Sequence, residues 1–168
     1  MKSIDRKFSS MDDEVWAKII IFEKNIQVAK AYIKTPVLTI DGSNTGFNGH
    51  KVGINGFETS QSDKESSMCK LLIEEGCRIK LTQNGDVLIK RDDSVNIFTN
   101  KPKKSESSVS DVIMKLPYGL LQQNKTYKLF DMKKFQENLS QELLTENPKW
   151  DQLLKQVHKM LFFLTKLL

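Results

Sequence analysis

From residue 15 to residue 130 the chain reads as short β-branched and aromatic runs, each closed by a turn signal; beyond residue 130 its apolar residues recur at every fourth position. That change of period limits the fold more than any other feature. Runs with strand character must pair into sheets, and a tail with helical stripes must bury them, so we expect a mainly β chain with some α: a β-sandwich with a helical pack at one end. Residues 15–33 (Val15, Trp16, Ile19, Ile20, Ile21 and Phe22, then Ile26, Val28, Tyr32 and Ile33) are broken at Glu23-Lys24-Asn25 and predict a strand pair. A third strand is expected over 37–40, closed by Asp41-Gly42. A Gly- and Asn-rich loop over 43–49 leads into a short apolar stretch at 52–57, and 58–67 are polar and expected at the surface.

Met68, Leu71, Leu72 and Glu75 stand at helical spacing, which predicts a helix over 66–75 with Gly76 as its stop. The clearest local signal is a hairpin, residues 78–81 and 86–89 flanking Asn84-Gly85. Further strands are expected over 94–98, 111–116 and 127–130, with Pro117-Tyr118-Gly119 as a turn. Asp131 can cap a helix carrying Phe135, Leu139 and Leu143. Asn147-Pro148 opens a second, whose stripe includes Trp150, Leu153, Leu154, Val157, Leu161 and Leu164.

Composition excludes more than it identifies. The chain has 168 residues, 39% hydrophobic and 28% charged, enough for one domain with its own core after a flexible lead-in over 1–13. The net charge of +5 is spread among acidic residues, unlike the arm of a nucleic-acid binder. Cys69 and Cys77 are too few for a disulfide framework and match neither a CxxC pair nor a zinc site, so an intracellular setting is the default. Residues 1–13 lack the apolar core of a signal peptide, and apolar runs such as 161–164 are far too short to span a bilayer.

No phosphate-binding glycine loop, nucleophile elbow or HExxH helix is present. His50 lies in a polar loop and His158 in an amphipathic stretch, a context of packing rather than proton transfer. Cys69 and Cys77 read as small apolar residues. Asp92-Asp93 has no further oxygen ligands at calcium-loop spacing and reads as a solvated turn. Lys101-Pro102-Lys103-Lys104 reads as a hydrated loop, and the Ser-rich stretches 59–67 and 105–110 as exposed loops. We therefore expect neither an enzyme nor a cofactor.

The order of the motifs resembles the C-terminal (second) Mad-homology domain of SMAD proteins. Trp16-x-x-Ile19, Phe22-Glu23, Val28 and Tyr32 are similar to that family's opening strand pair, with Ala29 and Lys30 standing where it has Gly and Glu. Leu38-Thr39-Ile40-Asp41-Gly42 resembles its (V/L)-T-V-D-G, and Ile73-Glu74-Glu75-Gly76-Cys77-Arg78-Ile79 its I-G-(K/R)-G-V-x-L. Asn84-Gly85-Asp86-Val87, with Asp93-Ser94-Val95 and Ile97-Phe98, resembles G-(E/D)-V followed by S-D-x-A-(I/V)-F-V. Lys115-Leu116-Pro117-Tyr118-Gly119 resembles K-I-P-P-G, and Tyr127-Lys128-Leu129-Phe130-Asp131 with Phe135 the entry to its helical bundle. No piece is specific alone; seven in order over residues 16–161 are.

The resemblance implies a sandwich with a helical bundle at one end and a loop–helix region at the other, over residues 14–168. It implies a protein-interaction module of intracellular signalling or transcription regulation, cytoplasmic and nuclear, with protein partners that include other SMAD-like subunits. It implies no direct DNA binding by this domain and no membrane. The family's trimer-face pair falls on Asp41 and Lys51, where lysine keeps the charge but loses the bidentate fork of arginine. A turn-shaping role for Asp41, with Lys51 solvated, explains the same residues equally well. The family's basic pocket is reduced to Lys70, with Leu71 beside it. The sequence stops at Leu168, where the family runs on into a K-G-W-G loop and a final helix, so receptor reading is not expected of it. A structural or scaffolding SMAD-like protein of the Expansion type, without receptor coupling or trimerisation, is the alternative.

Overall fold

The structure, a computed structural model, describes residues 15–57, 64–92, 96–100 and 108–143. The expected lead-in, Asp93, the Lys101-Pro102-Lys103-Lys104 loop and the helix after Asn147-Pro148 lie outside these residues.

Strands β1 (Ala17–Glu23) and β2 (Ile26–Ile33) form an antiparallel hairpin. Glu23 pairs with Ile26, leaving Lys24 and Asn25 as a two-residue loop, both at positive φ (47° and 68°) as a type I′ turn requires. The second sheet has six strands: β3 (Val37–Asp41), β4 (Gly46–Phe47), β5 (Lys51–Gly53), β6 (Cys77–Leu81), β7 (Val87–Arg91) and β8 (Thr126–Phe130), in the order β4-β5-β3-β6-β7-β8. Among these strand pairs β3–β5 is parallel and the others are antiparallel. Ile19, Ala31 and Ile33 of the hairpin join Leu38, Ile40, Val52, Ile79 and Ile89 of the larger sheet in one buried cluster, so the two sheets make two layers over a common core.

The β6–β7 hairpin forms where Asn84-Gly85 marks it, but with different turn chemistry. Thr82 N donates to Asp86 O at 2.9 Å, and only Gly85, at φ 82°, adopts the left-handed conformation. This is a three-residue loop closed by a left-handed glycine, not a two-residue turn. Cys77, on β6, is fully enclosed; burial pushes its thiol up to about 12 and Asp92 adds to the shift, so it is an inert core residue.

Three helices depart from or refine the sequence expectations. Helix α1 (Lys64–Leu71) begins earlier and ends sooner than 66–75. Helix α2 (Asp111–Lys115) replaces the strand expected over 111–116. The apolar run Val112-Ile113-Met114 carries no period of its own. Ser110 decides the outcome by capping the helix, its Oγ accepting from Ile113 N at 3.4 Å, with Asp111 in the first turn. Ile113 and Leu116 then turn into the core three residues apart while Val112 is exposed. Residues 96–98 of the strand expected over 94–98 make a single bridge, Phe98 to Leu120. Helix α3 (Met132–Leu143) starts after Asp131, whose Oδ1 accepts from Lys134 N at 3.2 Å. Phe135 meets Phe130 with ring centroids 5.8 Å apart.

Candidate functional site: the loop–helix face

Strand parity brings Asp41 and Lys51 together. In the parallel β3–β5 ladder Thr39 faces Lys51, so Asp41, two residues on, projects from the same side. Lys51 Nζ lies 2.7 Å from Asp41 Oδ2, and Ser43 donates to Oδ1 from its amide (3.0 Å) and its hydroxyl (2.6 Å). Burial pushes the Asp41 carboxyl up, but the Lys51 ammonium and the two Ser43 donors outweigh it and hold it below the ordinary range. Asp41 therefore shapes the turn and binds Lys51 at once, within a single chain. Asn55 Nδ2 donates to Gly42 O, which ties the far end of the loop to the same turn.

The motif glycines are steric requirements. A Cβ on Gly42 would stand 1.7 Å from Ile73 O, and one on Gly76, at φ 60°, 2.0 Å from Ile40 O. These close approaches lock the Asp-Gly turn of β3 against the segment joining α1 to β6, which places the helix beside the loop.

Lys70 is buried on α1 and paired with Glu23 Oε2 at 2.6 Å, with Phe57 O accepting at 3.2 Å. Its charge fastens the helix to the end of β1, which argues for a packing role over a basic pocket. The sequence offered Lys70 without its partner, because Glu23 lies on a distant hairpin.

Sequence reasoning also missed the polarity of α1. The helix buries Ser66 and Lys70 and turns Met68 and Leu71 to solvent, with Leu72 just past its end exposed as well, at 67%, 73% and 67% exposure. The spacing marked the helix, but only the position of Lys70 fixes which face is inside. Three large apolar side chains so exposed, beside the loop held by Asp41 and Lys51, make this face a candidate interaction surface.

Other chemistry is structural. Asp92 is buried between Arg78 (2.6 and 2.9 Å) and Lys90 (2.7 Å), which correct its reading as a solvated turn. The Arg78 guanidinium, with Lys90 behind it, brings the carboxyl down to about 2 against the cost of burial. Ser110, last in the internal Ser107-Ser108-Val109-Ser110 run, is buried as the α2 cap. Among the described residues no group of three or more His, Cys, Asp and Glu could hold a metal, and no helix is long and apolar enough to cross a membrane.

Known proteins are similar at the level of fold and family. A crystal structure of the interferon regulatory factor 9 IAD domain is similar at TM-score 0.55 and 16% identity, covering 81% of this chain and 67% of that one. A crystal structure of STAT2 in complex with IRF9 is similar at TM-score 0.51 and 16% identity, covering 78% and 72%. At that identity the likeness shows the fold. No curated protein sequence matches. The MH2 domain, however, matches residues 14–163, the whole length over which the motifs were read, and by that match this chain belongs to the MH2 domain family.

Proposed function

We propose that this domain is a non-enzymatic protein–protein interaction module of intracellular signalling or transcription regulation, working through its loop–helix face. The observation that carries the reading is the inverted polarity of α1, with Met68, Leu71 and Leu72 outward and Lys70 inward. An apolar stripe of this kind is stabilised by covering it, and the loop held by Asp41 and Lys51 gives the stripe a fixed neighbour. Family membership supports the same reading, because such domains assemble with other subunits through a loop–helix face. The similarity to a structure solved as STAT2 in complex with IRF9 adds that this fold serves in protein complexes.

Sedimentation velocity across a concentration series tests the proposal. We expect a concentration-dependent oligomer that Leu71→Ser with Leu72→Ser converts to monomer, while circular dichroism shows the fold retained. Asp41→Ala is expected to weaken assembly less, through disorder of the loop. A wild-type chain that stays monomeric at all concentrations overturns assembly through this face. That outcome would favour a second reading, a scaffolding domain without trimerisation, which has one observation on its side: Asp41 is already satisfied by Lys51 of its own chain.

A further inference from the structure

The net charge reads as diffuse along the sequence, yet the fold concentrates part of it on the outer layer. Strand alternation sends Ala17, Ile19 and Ile21 of β1 and Ala31 and Ile33 of β2 toward the core. The other face of the hairpin therefore carries Lys18 and Ile20 from β1 and Lys30 and Tyr32 from β2, with Phe22, past the register shift after Ile21, partly exposed at its end. The register sets Lys18 opposite Tyr32 and Ile20 opposite Lys30, so cation and apolar groups alternate both along and across the strands. Lys30 Nζ sits 5.0 Å from the centroid of the Tyr32 ring, and Tyr32 is half exposed. Its phenol is lowered below the ordinary value by its hydrogen bond to Lys30, aided by the charges of Lys30 and Lys18 and opposed by burial.

Among the described residues no carboxylate balances this face. The single acid of the hairpin, Glu23, points inward to Lys70. Lys18 and Lys30 have no carboxylate partner among the described residues. The ammonium groups of half-buried Lys18 and exposed Lys30, beside Ile20, Phe22 and Tyr32, complement a ligand with negative charge and apolar side chains.

We propose that the outer face of the β1–β2 hairpin docks an acidic, extended segment of a partner protein whose every second side chain, turned toward this face, is a carboxylate and an apolar group in turn. In an extended segment every second side chain points the same way, so a carboxylate and an apolar group two residues apart meet Lys18 and Ile20 in turn, a pattern that a regular phosphate backbone does not share. Ile20 and Phe22 offer apolar area that nucleic-acid phosphates would leave uncovered. Two other occupants have the wrong sign. A second copy of this face repeats Lys18 and Lys30, and residues 144–168 of the chain carry Lys149, Lys155, Lys159 and Lys166 against Glu146 and Asp151. The proposal does not depend on the loop–helix face, which lies on other residues.

Fluorescence anisotropy with the full chain tests it, using a short fluorescein-labelled peptide that repeats Glu-Ser-Leu-Ser and so presents glutamate and leucine in turn on one face when extended. We expect saturable binding that weakens as salt rises, and a loss of about tenfold or more in affinity on Lys18→Glu with Lys30→Glu. Tyr32→Ser, which leaves the charge unchanged, is expected to reduce affinity as well. Circular dichroism checks that each variant is folded, and the milder Lys30→Gln replaces the double reversal if that variant does not fold. Unchanged affinity in the folded lysine variants overturns the proposal, as does absence of binding to the wild type. Tighter binding of oligothymidine, or of phosphatidylserine vesicles, than of the peptide overturns it in favour of a nucleic acid or a membrane surface. Loss of peptide binding in Leu71→Ser with Leu72→Ser, with the lysine variants unaffected, would instead assign the peptide to the loop–helix face.

Discussion

Tyr118 is the residue under most evident backbone stress. It holds φ 53° and ψ 8°, a left-handed conformation that a bulky L-residue adopts at a cost of about 1–2 kcal/mol. Its side chain is 94% exposed, so no burial offsets that cost. The surrounding frame imposes the conformation: Thr99 N and Oγ1 both donate to Gly119 O, at 2.8 and 3.0 Å. Tyr118→Asn, a residue that tolerates this region, is expected to raise the melting midpoint by about 2–4 °C. Tyr118→Val is expected to lower it by a similar amount, as scanning calorimetry would measure. The turn itself was legible in Pro117-Tyr118-Gly119. The strain was not, because Pro-Tyr-Gly is equally compatible with an unstrained turn until Thr99 fixes Gly119.

Among the elements, the strands with a strong local period were readable and those with a uniform apolar run were not. The β1–β2 and β6–β7 hairpins declare themselves through alternation and turn residues, whereas residues 111–116 present an unbroken apolar core that fits strand or helix. A single side chain resolves the ambiguity. Ser110 Oγ accepts from Ile113 N and donates to Lys128 O, so it caps α2 and fastens it to β8 together. Ser110→Ala is therefore expected to cost about 1 kcal/mol or somewhat more, measured as a fall in the urea midpoint at unchanged slope. A Ser110→Ala protein of wild-type stability would mean that packing of Ile113 alone holds the helix. For α1 the sequence marked the element and left its orientation open, since Ser66 and Lys70 are inward only because Glu23 waits on another strand.

At the scale of the whole molecule, carboxylates join segments distant in sequence. Asp92 links β6 to the end of β7. Asp86 accepts from Met132 N at 3.0 Å and pairs with Lys128 at 2.8 Å, tying the hairpin loop to the start of α3 and to β8. Asp41 ties β3 to β5. All three carboxyls are held below their ordinary values, Asp92 at about 2 chiefly by Arg78 and Asp86 chiefly by Lys128. Groups depressed in the folded state stabilise it fully above the unfolded value near 4 and lose that contribution as pH falls through the folded value. Stability is thus expected to decline between about pH 4 and pH 2. Asp92→Asn should remove roughly 1–2 kcal/mol of that dependence, a figure reduced for the solvent around half-exposed Arg78. Urea titrations at a series of pH values would measure it, and an unchanged slope against pH in Asp92→Asn would contradict the assignment.

The sequence by itself determined the class of fold and the family. Alternation, turn residues and ordered motifs are local, and locality survives in a linear string. The tertiary structure alone decided which charges are spent and which are offered. Lys70 is consumed by Glu23 and Lys51 by Asp41, whereas Lys18 and Lys30 share a face with no carboxylate partner among the described residues. Their physical difference is distance to a carboxylate across strands, a quantity that register sets and that composition cannot contain.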